Sequence, residues 1–89
     1  MVKTREQIEK LVDAYLDSGH IHKFSVINII KEDISTYDGS YPLYIINYDA
    51  SKSNNVNDLW DEIVEGINKY TNLKEGKHYW LGLRWSWNS

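Results

Sequence analysis

Histidines are the residues whose spacing most readily suggests chemistry in this chain. His20 and His22 are separated by one residue, so both imidazoles point to the same side of an extended segment. They would chelate a transition metal if His78 or a carboxylate such as Asp49 joined them, because a metal site needs three or four converging ligands. Two histidines between a helix and a strand are more often solvated loop residues, so we predict no metal site and no cofactor.

The remaining candidates for catalysis are two pairs of neighbouring carboxylates. Glu32 is followed by Asp33, and Asp61 is followed by Glu62. Two carboxylates perform acid–base chemistry when they converge from opposite sides of a cleft, and adjacent residues of a chain do not converge. The sequence contains no Gly-x-Ser-x-Gly nucleophile elbow, no Gly-rich phosphate loop and no cysteine. We therefore predict that the protein is not an enzyme, has no catalytic residues and forms no disulfide bonds.

Aromatic residues are frequent and crowd toward the end of the sequence, which contains four Trp, seven Tyr and one Phe. Side chains alternate along residues 78–87, and the larger set should face the core: Tyr79, Leu81, Leu83, Trp85 and Trp87. The smaller set, His78, Trp80 and Arg84, would then lie on an uncovered face of the sheet, with Tyr44 and Tyr48 beside it. Exposed Trp, Tyr and Arg are typical of interface hot spots, so these residues are predicted to bind a partner. The alternative is that so short a chain needs large side chains simply to fill its core.

A second candidate surface is the acidic side of a helix predicted around residue 60. Asp58, Asp61 and Glu62 would lie on this side. The net charge of −3 argues against nucleic-acid binding, which needs clustered Lys and Arg, and it permits a basic protein partner. We therefore predict that these three carboxylates contribute to partner binding.

The nine residues from Asn55 to Ile63 resemble the inhibitory helix of the barstar family. They read Asn-Val-Asn-Asp-Leu-Trp-Asp-Glu-Ile, and the family pattern Asn-Leu-Asp-x-Leu-Trp-Asp presents carboxylates to a basic nuclease site. The resemblance implies that Asp61 faces a partner and, less directly, that Asn57 does so at the place of the earlier carboxylate. The order of elements differs, because a hairpin precedes this helix and the family's following strands and helices do not fit in the remaining residues.

Two amphipathic helices are predicted. The first spans residues 5–18, where Thr4 and Gln7 form a capping box and apolar residues recur at the helical period. The second spans residues 56–70 and begins after Asn55, which supplies the capping side chain. Gly66 in its interior predicts the close approach of a neighbouring backbone.

Three strands are predicted, over residues 23–33, 41–49 and 78–87. Asp38 and Gly39 form the dipeptide that a primed hairpin turn requires, so the first two strands should pair antiparallel. If the second helix runs back along the sheet, the third strand pairs beside the first and gives the order 2-1-3, with both helices on one face. The alternative places the third strand parallel to the second.

Together these features predict a single α+β domain over residues 1–89, with the element order α-β-β-α-β and a mainly antiparallel sheet. The chain lacks cysteine, a signal-peptide core and an apolar run of ~20 residues, so we expect a cytoplasmic protein without a membrane partner. We expect a protein-binding module, such as a small inhibitor, immunity or anti-defence protein, that acts through the aromatic face and the acidic helix. The alternatives are a binder of a small planar ligand or a sugar on an aromatic platform, and a structural protein that forms a homodimer through a strand edge.

Overall fold

The fold contains two helices and a three-stranded mixed sheet. The computed structural model describes residues 4–52 and 55–87. Its elements are α1 (Arg5–Asp17), a short 3₁₀ turn (His22–Phe24), β1 (Val26–Thr36), β2 (Gly39–Asp49), α2 (Val56–Thr71) and β3 (Trp80–Ser86). The predicted α+β class, with two helices and three strands, is confirmed. Within the described ranges, no helix is long and apolar enough to cross a membrane.

Local capping explains where the helices begin and end. The Gln7 N–H donates to Thr4 Oγ1 at 3.2 Å and the Thr4 N–H donates to Gln7 Oε1 at 2.8 Å, so the predicted capping box starts α1. The Asp58 N–H donates to the side chain of Asn55 at 3.2 Å and starts α2 in the same way. Asn72, which has a left-handed φ of 65°, ends α2.

The strand order is β1-β2-β3, with β1 antiparallel to β2 and β2 parallel to β3. The predicted order 2-1-3 is therefore wrong, and the third strand runs parallel to the second. β2 suits the central position because apolar residues line both of its sides, whereas the helix-facing side of β1 carries Lys31 and Asp33. At the sheet edge, Lys31 can reach Asp13 of α1, and the two charged atoms are 3.1 Å apart.

The hairpin between β1 and β2 forms, but its turn differs from the prediction. Tyr37 and Asp38 make the two-residue loop, and Thr36 pairs with Gly39 across it. Neither loop residue has a positive φ, and the positive value of 143° falls on Gly39. The predicted primed turn, with Asp38 and Gly39 as its two central residues, is therefore wrong. The backbone needs the conformational freedom of glycine at the residue that follows the two-residue loop.

Both helices pack against one face of the sheet and enclose a single core. The sheet contributes Tyr44, Ile46, Tyr48, Tyr79 and Leu81, and the helices contribute Ile8, Val12, Tyr15, Leu16, Leu59, Ile63 and Ile67. Tyr44 is 1% exposed and Tyr48 is 9% exposed. Their predicted position on the uncovered face is therefore wrong, because in the alternation of β2 it is residues 43, 45 and 47 that point away from the helices.

Candidate functional site

The face of the sheet opposite the helices is covered by no described element, and we call it the open sheet face. The register of the three strands arranges its side chains in rows across the sheet. From the hairpin onward, the rows are Ile34–Tyr41, Glu32–Leu43–Trp80, Ile30–Ile45–Gly82 and Asn28–Asn47–Arg84.

The middle of the open sheet face is apolar. Leu43 and Ile45 of β2 are half-buried there. Ile30 of β1 lies in the same row as Ile45, and Ile34 of β1 lies in the row next to that of Leu43. A sheet with one face in water usually carries polar residues on that face. Apolar side chains in adjacent rows therefore mark the open sheet face as a candidate interaction surface.

Trp80 and Arg84 both lie on β3, in the rows of the open sheet face on either side of Gly82. Trp80 is half-buried, and its ring centroid is 5.0 Å from that of Tyr41 with an angle of 43° between the ring planes. Arg84 is exposed and forms no ion pair with any residue in the described part of the chain. An aromatic ring and a free cation thus flank the row that contains Gly82.

Gly82 leaves a notch between these two large side chains. A Cβ placed at position 82 would have one heavy atom within 4 Å beyond its chain neighbours, Ile45 Cγ1 at 3.9 Å. The Trp80 ring packs on Tyr41, toward the hairpin, so it does not fill the space. Packing within the chain therefore does not require glycine here. A glycine inside a strand weakens it and often marks the close approach of a ligand or another backbone.

A cleft of about 940 Å³ opens beside Trp80, between the hairpin and the connection from α2 to β3. Tyr41, Trp80 and His78 contribute to its walls. His78 is half-buried, and its Nδ1 accepts a hydrogen bond from the Lys74 N–H at 2.9 Å. This bond holds the connection in place, so the structure gives His78 a structural contact next to Trp80.

The acidic side of α2 lines a different groove, of about 770 Å³, on the helix side of the molecule. Asp58, Asp61, Glu62 and Glu65 line this acidic groove, together with the ring of Tyr70, which is 63% exposed. Carboxylates gathered along one wall create a negative potential that suits a basic group.

Glu62 differs from the other carboxylates of the acidic groove because it is engaged within the fold. Its Oε1 lies 3.2 Å from Lys23 Nζ, and its Oε2 lies 3.1 Å from the hydroxyl of Tyr15. The hydrogen bond from Lys23, assisted by that from Tyr15, holds the pKa of Glu62 below its usual value. Asp58 and Asp61 are exposed and have no ion-pair partner in the described ranges, so they remain available to a ligand.

The two surfaces predicted from the sequence lie on opposite sides of the sheet. Trp80 and Arg84 belong to the open sheet face, whereas Asp61 lies on a helix that covers the other face. A compact partner would therefore contact one surface or the other.

The histidines make separate local contacts. His20 stacks on Tyr15, with ring centroids 4.5 Å apart and an angle of 16° between the planes, and His78 lies in the connection before β3. Across residues 4–52 and 55–87, no three side chains of the metal-binding types come together in a group that could hold an ion.

Sequence reasoning placed Trp80 and Arg84 on the open sheet face but did not single out most of the surface around them. Leu43 and Ile45 were not singled out, and neither was the notch at Gly82. The available signal was the run of apolar residues at successive positions of β2, which is typical of a strand sheltered on both faces.

The stretch that resembles the barstar inhibitory helix forms the first half of α2 and leaves Asn57 and Asp61 exposed. The element order around it, α-β-β-α-β, differs from that of the barstar family. Compared with known proteins, the chain matches no family model, no curated protein and no solved structure.

Proposed function

We propose that this chain is a non-enzymatic protein-binding module that holds its partner on the open sheet face. The observation that carries the proposal is the apolar centre of that face, formed by Leu43, Ile45 and Ile30, with no described element over it. Apolar side chains that adjoin one another on a protein surface are typical of interaction sites. A module of this size without catalytic groups acts by occupying its partner's surface, as inhibitors and immunity proteins do.

The residues around the apolar centre support a protein partner. Trp80 and Tyr41 form an aromatic border on the hairpin side, and Arg84 stands at the other end of β3. Trp, Tyr and Arg are the residue types most enriched among interface hot spots. Because Arg84 forms no ion pair with any described residue, a carboxylate on the partner would complete a charge-assisted hydrogen bond there.

The notch at Gly82 has the shape to accept one apolar side chain of the partner. Ile45 borders it on the neighbouring strand, and Trp80 and Arg84 lie on either side along β3. A single branched or aromatic side chain of the partner would fill this space and exclude water from the neighbouring rows. Anchors of this kind, set near the centre of an interface, supply much of its affinity.

Affinity capture from the native host with matched bait variants tests the proposal. Gly82→Val fills the notch, and Arg84→Ala and Trp80→Ala remove the flanking groups. Lys10→Ala is the control on the helix side, because Lys10 is exposed on α1 and lies outside both the open sheet face and the acidic groove. We expect a protein that is retained by the wild type and by Lys10→Ala, and lost with the other three baits. Retention of the same proteins by Gly82→Val and by the wild type would contradict the proposal.

Binding of a small planar ligand or a sugar is a second candidate function, favoured by the cleft beside Trp80. Its volume of about 940 Å³ lies within the range of ligand-binding pockets, and Tyr41 and Trp80 offer it an aromatic wall. Titration with sugars and nucleotides should change tryptophan fluorescence in the wild type. Trp80→Phe is the required control, since the chain has four tryptophans. An unchanged spectrum across the panel would argue against this function.

The acidic groove is a separate binding surface within the leading proposal, suited to a basic partner. Asp58 and Asp61 supply exposed carboxylates to this surface. A bait that carries Asp58→Asn together with Asp61→Asn tests this surface. Proteins lost with that bait but retained by Gly82→Val would bind the groove and not the open sheet face.

A further inference from the structure

We propose that two copies of this chain pair along the free edge of β3, with Trp85 of one copy opposite Trp85 of the other. The last part of this edge combines unpaired backbone groups with exposed indoles, and the opposite edge of the sheet does not. Pairing would join two three-stranded sheets into a continuous six-stranded sheet. The inference is independent of the proposed function, because it uses the edge of the sheet and not the open sheet face.

Backbone hydrogen bonds show which peptide groups of β3 point to the free edge. The Ala50 N–H donates to the carbonyl oxygen of Ser86 at 2.7 Å, so the Ser86 carbonyl points toward β2. The Leu81 N–H donates instead to Glu75 Oε2 at 3.2 Å, on the side away from β2.

Leu83 and Trp85 share the outward direction of Leu81, because the peptide groups of successive strand residues point to opposite sides. The start of the edge is covered, since the Gly76 N–H donates to the carbonyl oxygen of Tyr79 at 2.8 Å. Within residues 4–52 and 55–87, no group bonds the backbone of Leu83 or Trp85 on that side. The free part of the edge therefore begins at Leu83.

Side chains on this part of the edge favour association. Trp85 is 64% exposed and Trp87 is 66% exposed, so the prediction that these two residues face the core is wrong. Arg84 is the one charged residue in the sequence from 79 to 87. An exposed apolar strand with few charges and unpaired backbone groups is a ready template for another strand.

The other edge of the sheet, β1, is protected. Lys31, Glu32 and Asp33 are exposed on it, and the pairing register shifts between Val26 and Asn28. Charges and bulges of this kind are features with which natural sheets prevent pairing between edges. We therefore assign association to β3.

A second copy fits because the free segment is complementary to itself. In antiparallel pairing about Trp85, the two Trp85 peptide groups exchange hydrogen bonds and Leu83 lies opposite Trp87 of the second copy. Arg84 then faces Ser86 of the second copy and not another Arg84, so like charges do not meet directly. The indoles of Trp85 and Trp87 lose contact with water as the two copies meet.

Sedimentation equilibrium of the wild type and of two variants at position 85 tests the proposal. Trp85→Pro removes the outward N–H without removing a bond to β2, and the control Trp85→Thr removes the indole but keeps the N–H. We expect the wild type to dimerise as concentration rises and Trp85→Thr to dimerise more weakly. Trp85→Pro should be weaker still, by roughly tenfold or more, because each copy loses one edge hydrogen bond. A wild type that stays monomeric at millimolar concentration, or a Trp85→Pro variant as tight as Trp85→Thr, would overturn the proposal.

Amide hydrogen exchange gives a second readout on the unmodified chain. The amides of Leu83 and Trp85 should exchange fast in dilute protein and slowly in concentrated protein, whereas those of Gly82 and Arg84, which point toward β2, should be protected in both. If the exchange rates of the Leu83 and Trp85 amides did not depend on protein concentration, that result would also overturn the proposed pairing. Gly82→Val should dimerise like the wild type, because the substitution changes the open sheet face and not the edge of β3. A failure of the proposed dimer can therefore be distinguished from a failure of partner binding on the open sheet face.

Discussion

The phenol ring of Tyr15 in α1 lies directly over Gly66 in α2. Its hydroxyl donates to the carbonyl oxygen of Glu62 at 3.0 Å. A Cβ at position 66 would overlap that hydroxyl and lie 2.8 Å from Tyr15 Cε1. The glycine therefore allows the two helices to approach, although it costs a helix interior about 1 kcal/mol relative to alanine. The sequence predicts a neighbouring backbone at Gly66, and the structure places a side chain there.

Gly66→Ala should destabilise the fold for this reason. The added methyl group collides with a buried ring, and such overpacking costs about 1–3 kcal/mol, which offsets or exceeds the gain of about 1 kcal/mol in helix propensity. Urea unfolding measures the change in the free energy of unfolding. The control Glu65→Ala, at the exposed position before it, should stay within about 0.5 kcal/mol of the wild type. A Gly66→Ala variant that is more stable than the wild type would show that Tyr15 moves aside freely.

Gly82→Val should have the opposite effect on stability. The position has room for a Cβ, whose nearest neighbour would be Ile45 Cγ1 at 3.9 Å, and valine favours an extended strand. We expect the free energy of unfolding to stay the same or to rise by up to about 1 kcal/mol, as measured by thermal unfolding. The same variant should lose a partner of the open sheet face. A large drop in melting temperature would show instead that the notch is required for folding.

The helices were predictable because their signals are local. Thr4 and Gln7 form a capping box within one turn, and Asn55 supplies the cap of α2. The predicted ranges 5–18 and 56–70 differ from the observed ones by a single residue each, because caps and the apolar period act within the segment itself.

The strand order was not predicted because it depends on which strand tolerates burial on both sides. Leu43 and Ile45 on one side of β2, and Tyr44 on the other, suit a central strand. Lys31 and Asp33 on the helix side of β1 suit an edge, where they reach acidic and basic groups of α1. Alternation alone also cannot orient a strand that is apolar on both sides, which is why Tyr44 was assigned to the wrong face.

The stability of the fold should depend on pH through Glu62. Its hydrogen bonds hold its pKa below the ordinary glutamate value of about 4.3, so the unfolded chain binds the proton more tightly than the folded chain. The stabilising contribution of the ionised Glu62 side chain is therefore fully present at pH values above the pKa of Glu62 in the unfolded chain. It is lost as the pH falls through the lower pKa of Glu62 in the folded chain. The difference in free energy of unfolding between the wild type and Glu62→Gln, followed from about pH 7 to about pH 3, should shrink on acidification. A difference that stays constant would mean that Glu62 is not stabilised as a carboxylate, and Glu65→Gln provides the comparison at an exposed position.

Tyr79→Phe should leave the fold as stable as before or make it more stable. The Tyr79 side chain is 0% exposed, and its hydroxyl has no hydrogen-bond partner in the part of the chain that the structure describes. A buried hydroxyl without a partner costs about 1–3 kcal/mol in lost hydration, and phenylalanine avoids that cost while keeping the ring in place. Tyr15→Phe is the matched control, because it removes a hydroxyl that does donate to Glu62, and it should lower the free energy of unfolding by about 1 kcal/mol. Thermal unfolding of both variants measures the contrast, and a loss of stability in Tyr79→Phe equal to that in Tyr15→Phe would show that the Tyr79 hydroxyl is hydrogen-bonded in solution.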